Sequence, residues 1–254
     1  MIRFGNEVNY WLQTETGMDV SRGAKKTHTC LTTTLPLTFD PKRSALVIID
    51  MQNFFCSQRL GKSEKARELA GPIRLSVEHA REIGMKVVWV NWGVRADLAN
   101  LPPGVIRSFY RSGVHAGFGS ELPDGLGPIL LKGSWSADLI DGLREIRQAD
   151  DIWIDKHRTS GFFGTELDQT LSAQGITTLF FAGVNTDQCV MGTLQDAHCI
   201  GYDCALLTDC TATTSPTGAY ESVLYNVERS YGFLTTSAYF AQSHENSDSE
   251  RVCL

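Results

Sequence analysis

Three side chains of complementary chemistry each stand at or just past the end of a short apolar run. Asp50 follows Ala45-Leu46-Val47-Ile48-Ile49. Lys156 lies one residue beyond Asp155, after Asp151-Ile152-Trp153-Ile154. Cys189 closes the turn Val184-Asn185-Thr186-Asp187-Gln188-Cys189, after the run Thr178-Leu179-Phe180-Phe181-Ala182. Two further runs, Val87–Val90 and Cys204–Leu207, end before Asn91 and Asp209. A carboxylate, an ammonium and a thiol together supply a base, a cation and a nucleophile. Cys189 also opens a stretch to Ala197 that reads as a helix start. A thiol at a helix N-terminus near a lysine is pushed toward the thiolate, the form that attacks. Asp50 can carry a proton between thiol and leaving group. The backbone amides of the Asn185–Cys189 turn face the same place and can hold a developing oxyanion. Each residue alone has a plainer reading. A lone cysteine is often a small core residue, an aspartate ending a strand is often a helix cap, and Lys156 within Asp155-Lys156-His157-Arg158 reads as part of a solvated charge cluster. Their joint placement at strand ends is what argues for chemistry.

Something must hold these ends side by side. The runs are apolar on both faces, as strands buried under two helical layers must be. Between them, apolar residues recur at helical spacing: Ile73, Val77 and Ala80 with Pro72 in the first turn and Gly84 as the stop; Leu167 and Leu171 before Gly175; Tyr220, Leu224 and Val227 before Gly232. Alternation of this kind predicts an α/β fold, a doubly wound parallel sheet with helices on both faces, in which ligands bind beyond the carboxyl ends of the strands. Residues 93–150, rich in Gly and Pro, read as an insertion over one end of the sheet. Residues 1–37 are polar and weakly periodic and read as an N-terminal arm or surface wrap. Residues 38–240 form the expected catalytic domain, and 241–254 a polar, frayed tail.

The chain has 254 residues, enough for one substantial core. Its 23 basic and 29 acidic side chains sum to a net charge of -6, which disfavours general binding to nucleic acid or to an anionic membrane. No apolar run is long enough for a membrane helix, and the N-terminus does not read as a signal peptide. Seven cysteines without a CxxC pair argue against both a disulfide framework and a zinc knuckle. The expected setting is cytoplasmic, with reduced thiols.

Around the three strand-end groups, Phe55, Asn91, Trp92, Trp135, Phe162 and Gln188 are the candidates to line a pocket. Aromatic walls suit a small planar substrate, although each of these rings reads equally as core. Gln52 and Asn53 are expected to hold the first strand-helix turn. His157 and Arg158 are either exposed or available to a substrate carboxylate. His198 reads as a helix-surface residue and Asp209 as a cap.

These segments carry a resemblance. Ser44-Ala45-Leu46-Val47-Ile48-Ile49-Asp50-Met51-Gln52-Asn53-Phe54-Phe55, Asp155-Lys156-His157-Arg158-Thr159-Ser160-Gly161-Phe162-Phe163-Gly164-Thr165 and Gly183-Val184-Asn185-Thr186-Asp187-Gln188-Cys189-Val190 resemble, in order and spacing, the three motifs of the isochorismatase-like cysteine hydrolases. The similarity spans about residues 38–240. It implies a six-stranded parallel sheet, a catalytic triad of Asp50, Lys156 and Cys189, and a non-proline cis peptide at Val184–Asn185. It also implies an oxyanion hole from the Asn185 and Cys189 amides, and assembly as a homodimer or tetramer. True isochorismatases, which cleave a vinyl ether, lack the cysteine, so its presence favours hydrolysis of an amide or ureide C–N bond through a thioester. The nicotinamidases carry an Asp-x-His…His metal site after the second strand. Here Asn91-Trp92-Gly93-Val94-Arg95-Ala96-Asp97-Leu98 has no histidine until His115, so neither a metal nor another cofactor is expected. The chain is most similar to the ureidoacrylate and biuret amidohydrolases, through Phe39-Asp40-Pro41 and Gly133-Ser134-Trp135-Ser136-Ala137-Asp138-Leu139. It departs from them after Asn91 and at Thr159, where they have tyrosine; Thr159 is therefore a substrate-binding candidate. The alternatives are a vinyl ether hydrolase and a catalytically idle paralogue that binds a small molecule or a partner.

Overall fold

The computed structural model describes residues 1–110 and 117–246. His115 and Cys253 lie outside the described residues, as does the tail beyond Asn246. The leading strands are β1 (Ile2–Gly5), β2 (Tyr10–Gln13), β3 (Met18–Asp19), β4 (His28–Cys30) and β5 (Leu37–Phe39). Then come β6 (Ser44–Ile49), β7 (Lys86–Trp92), β8 (Ile152–Lys156), β9 (Thr178–Val184), β10 (Asp203–Ala212), β11 (Phe233–Thr235) and β12 (His244–Glu245). The helices are α1 (Asn53–Cys56), α2 (Glu64–Glu68), α3 (Ala70–Glu82), α4 (Pro103–Phe109), α5 (Leu167–Ala173), α6 (Met191–Ile200), α7 (Ala219–Asn226) and α8 (Ser237–Ala241).

Strands β6 to β11 form one sheet in the order β11-β10-β9-β6-β7-β8, with every neighbouring pair parallel. The strand order reverses between β6 and β9, which places the ligand crevice of a doubly wound sheet there. Alternate residues of each strand enter two separate cores. Leu46, Ile48, Val87, Trp89, Phe180 and Ala205 pack with Ile73, Val77 and Ala80 of α3 and Phe240 of α8. Val47, Ile49, Val88, Val90, Ile154 and Phe181 pack with Leu167 and Leu171 of α5, Leu194 and Ala197 of α6, and Val223 of α7. The anticipated helical stripes are thus the faces that cover the sheet. Among the described residues no helix is long and apolar enough to cross a membrane.

The leading residues differ from the expected surface wrap. Strands β1–β5 and β12 form a second sheet, in the order β1-β2-β3-β5-β4-β12, antiparallel except for the β3–β5 pair. Val20, Cys30, Leu37 and Phe39 are buried in the first of the two cores, where Phe39 meets Phe180 edge-on. The tail is not frayed at its start. Strand β12 pairs with β4, and the Asn246 amide donates to Thr27 and Thr29 hydroxyls.

One buried charge pair fastens this second sheet to the first. The Arg22 guanidinium donates to both oxygens of Asp203 (2.6 and 2.8 Å) at the start of β10. The same carboxylate accepts from Trp11 Nε1 (2.6 Å) and Thr178 Oγ1 (2.8 Å). The Arg22 and Asp203 side chains are only 6% and 3% exposed. Removing one member of a buried pair leaves an uncompensated charge and costs about 3 kcal/mol or more. Arg22→Ala is therefore expected to lower stability by about 3 kcal/mol in urea unfolding. A loss below about 0.5 kcal/mol, the scale of an ordinary surface change, would contradict this role.

Candidate functional site

Asp50 comes immediately after β6 with φ of 53°, in the left-handed region that a non-glycine residue seldom adopts. Its N–H donates to Val90 O (3.0 Å) on the neighbouring strand, so the chain turns sharply while still tied to β7. Such an outlier, held by its surroundings, marks a place where side-chain aim outweighs local comfort. Gln52 holds the same corner. Its amide donates to Trp92 O (2.7 Å) and Ala137 O (2.6 Å), and accepts from Trp92 N–H (2.9 Å). Asn53 Nδ2 donates to Trp135 O (2.9 Å), fixing the 133–139 segment to the same turn. Both residues hold the first strand-helix turn, as expected.

Lys156 is the last residue of β8, on the sheet face that also carries Trp92. Its Nζ lies 3.0 Å from Asp50 Oδ2 and 3.4 Å from Cys189 Sγ, and donates to Arg158 O (3.2 Å). The Trp92 ring lies beneath it, 3.8 Å away. Cys189 sits in a π-turn, Thr186–Val190, that leads into α6. Before this turn the Val184–Asn185 peptide is cis. Thr186 and Thr211 hydroxyls meet at 2.8 Å, and Thr211 donates to Gly183 O, binding the turn to β10. Asp50, Lys156 and Cys189 are 1%, 0% and 8% exposed. An ammonium buried so completely is tolerable only beside an opposite charge.

Burial also corrects the expectation of a standing thiolate. It pushes the Cys189 thiol up to about 12, against the pull of the Lys156 charge, and the Asp50 charge adds to the rise. Burial raises Asp50 above the usual carboxylate range as well, with Lys156 opposing. A helix terminus and a nearby ammonium both favour the thiolate, but desolvation outweighs them here. Burial thus favours the protonated thiol, beside a carboxyl group whose hold on a proton is raised as well.

The surrounding candidates divide. Trp92 is buried in the same core as Cys189, packed on Phe109 (5.0 Å) and Phe118 (5.4 Å), and its indole N–H has no hydrogen-bond partner. Phe55 stands edge-on to Phe54 (5.0 Å) and near Phe109 (6.4 Å), within this aromatic wall. Thr159 is exposed beside Gly192, at the start of α6. Gln188 lies on the rim, donating to Ser215 Oγ (3.3 Å) and accepting weakly from Asn185 Nδ2.

Asn91 is not brought to the triad face. It alternates onto the side of Val87 and Trp89, where its buried amide finds no partner. Phe162 packs on Tyr202 (5.8 Å), the residue before β10. Trp135 lines a groove of about 450 Å³ with Trp153, Asp155 and Arg147, while Lys156 alternates to the other face of β8. Arg158 is engaged with Asn100 O (2.7 Å), and His157 is half-buried against Gly164. His198 is an exposed helix residue against Tyr231, and Asp209 accepts from Ser237 N–H and Oγ at the start of α8. The sequence reading missed Phe54, Phe109 and Phe118. Phe54 could have been found beside Phe55, but Phe109 and Phe118 flank an aperiodic stretch with no signal. Among the described residues no three His, Cys, Asp or Glu side chains converge to hold a metal ion.

Comparison with known proteins follows the same lines. The isochorismatase domain model matches residues 44–238. The ureidoacrylate amidohydrolase RutB of Enterobacter sp. (strain 638) is 32% identical over 222 residues, covering 83% of this chain and 95% of that protein. The N-carbamoylsarcosine amidase structure from Thermoplasma acidophilum is 29% identical with a TM-score of 0.60, covering 77% of this chain and 96% of that one. A cysteine hydrolase from Pseudomonas syringae pv. phaseolicola 1448A shares the fold, with 24% identity, a TM-score of 0.67, and coverage of 80% and 93%.

Proposed function

The chain belongs to the isochorismatase family, and from that premise we propose that it is a metal-independent cysteine amidohydrolase cleaving a C–N bond of a small amide, ureide or carbamoyl compound. The observation that carries this reading is the Lys156 ammonium within bonding reach of both the Asp50 carboxylate and the Cys189 sulfur, at the reversal of strand order.

The chemistry runs in two halves. Cys189 Sγ attacks the substrate carbonyl carbon while its proton passes to Asp50. The Asn185 and Cys189 amides hold the resulting oxyanion, and the Lys156 charge steadies the sulfur. Asp50 then gives the proton to the departing nitrogen, the C–N bond breaks, and ammonia or an amine leaves behind a thioester. Water attacks next, with Asp50 taking its proton. The C–S bond breaks, the acid is released, and the proton returns to sulfur. Acid-base help of this kind contributes on the order of 10²–10⁴ in rate, and an oxyanion donor about 10²–10³. The wall of Trp92, Phe54, Phe55, Phe109 and Phe118 suits a flat substrate. The names of the similar proteins support a ureide or carbamoyl group. A cytoplasmic homodimer or tetramer belongs to the same proposal, by family resemblance.

Ammonia release across a panel of ureides, carbamoylated amines and primary amides tests the reading. At least one member is expected to turn over, and no release from any would overturn it. Metal independence rests on the donor set, which offers the site one carboxylate and one thiol beside a buried ammonium. The rate should be unchanged after exhaustive treatment with EDTA. A loss that zinc restores would show the metal question to be misread.

A further inference from the structure

We propose that Thr193 is a positioning residue that sets the distance between the Cys189 sulfur and the Lys156 ammonium, by bonding the segments that carry them to each other. Thr193 lies within α6 and is fully buried. Its hydroxyl donates to Cys189 O (2.7 Å) and accepts from Gly161 N–H (3.1 Å). The first bond alone is commonplace, since a helical threonine often returns its hydroxyl to the carbonyl four residues back. The second bond makes the difference, because Gly161 belongs to the loop that leaves β8 directly after Lys156.

That loop has little freedom at the contact. A Cβ on Gly161 would come within 2.7 Å of Val90 Cγ1 and 3.4 Å of Thr193 Cγ2, so the backbone is pressed between β7 and α6. Gly161 O accepts from Thr165 Oγ1 (2.5 Å), and Thr165 Oγ1 in turn accepts from the Leu167 N–H (3.1 Å), the first of α5. The lysine loop is therefore anchored at both ends, and Thr193 is its bond to the cysteine. Among the described residues no other hydrogen bond joins α6 to this loop. The 3.4 Å contact between ammonium and sulfur joins two side chains on elements far apart in sequence. Their spacing is only as firm as the link between those elements, and a misplacement of about 1 Å at reacting groups can cost on the order of 10²-fold in rate. Without the hydroxyl, the buried Gly161 N–H loses this partner, and with it goes the bond between loop and helix.

The inference rests on Cys189 as the nucleophile, so its test reads the sulfur as well as turnover. Thr193→Val keeps the shape and removes the hydroxyl; Thr193→Ser keeps the hydroxyl and removes the methyl. For each, kcat and KM are measured on the best substrate of the panel, and the rate of Cys189 alkylation by iodoacetamide is followed against pH by peptide mass. The valine variant is expected to lose about 10- to 100-fold in kcat with KM within about twofold. Its alkylation profile should move to higher pH as the stabilising ammonium recedes, and serine should restore both. An alkylation profile of the valine variant that superimposes on the parent's would overturn the proposal. So would a serine variant as impaired as valine, which would make the methyl packing responsible. If the valine chain does not fold, Thr193→Ala against Thr193→Ser gives the same comparison. If the parent releases no ammonia from any compound but the alkylation shift is present, positioning stands and the amidohydrolase reading falls.

Discussion

Cys189→Ala is expected to abolish ammonia release, by at least about 10⁴-fold, while leaving the folded structure intact. The size follows from the proposed chemistry. When the atom that forms the covalent intermediate is removed, the other catalytic groups have nothing to act through, and only binding and oxyanion stabilisation remain. The fold should tolerate the change, because the thiol is a small group that burial favours in its neutral form. The thermal midpoint is expected to stay within a few degrees of the parent's. The variant also separates the competing chemistries. Cleavage of a vinyl ether needs an acid but no thiol, so it would survive the substitution, and a binding protein would keep its ligand. Turnover within about tenfold of the parent would refute the thioester route.

Asp50→Asn is the second large effect, with an expected loss on the order of 10²–10⁴ in kcat. The amide can neither take the thiol proton nor hand it on. The pH profile gives the sharper check. Asp50 must be ionised to act as base, and its burial raises it above the ordinary value of 3.8, with Lys156 only partly offsetting this. As pH falls, the parent should therefore lose kcat/KM at a pH above the usual carboxylate range, and the residual activity of the asparagine variant should lack that limb. An acid limb that persists unchanged in the variant would assign it to another group. Linkage fixes the sign for stability. A carboxyl whose folded value is raised binds its proton more tightly in the native chain than in the unfolded one. Its contribution is fully present below the unfolded value and is lost as pH rises through the folded one. Above its unfolded value this residue therefore works against folding.

Much of this was legible in the chain because parallel strands advertise themselves. A run such as Ala45–Ile49, apolar on both faces, has few other homes, and the residue that follows it must lie at the carboxyl end. The positions of Asp50, Lys156 and Cys189 at one end of one sheet thus follow from the sequence pattern. Other readings failed for physical reasons. Strands β3, β4 and β5 are two or three residues long and half-exposed in part, so no periodicity betrays the second sheet. Asn91 and Trp92 are neighbours in sequence, but successive strand residues face opposite ways, and only the pairing of Trp92 with Lys156 reveals which one shares the reactive face. Phe162 follows the lysine motif closely, yet its loop carries the ring to Tyr202. The thiolate expectation weighed nearby charge and helix direction but not desolvation, which depends on neighbours distant in sequence.

The clamp of Arg22 and Trp11 on Asp203 has a wider consequence. It grips the sheet where strands begin, whereas every group of the proposed reaction sits where strands finish. Durability and speed are thereby assigned to opposite poles of one molecule. Substitutions at this clamp are expected to change heat tolerance while leaving turnover as it was.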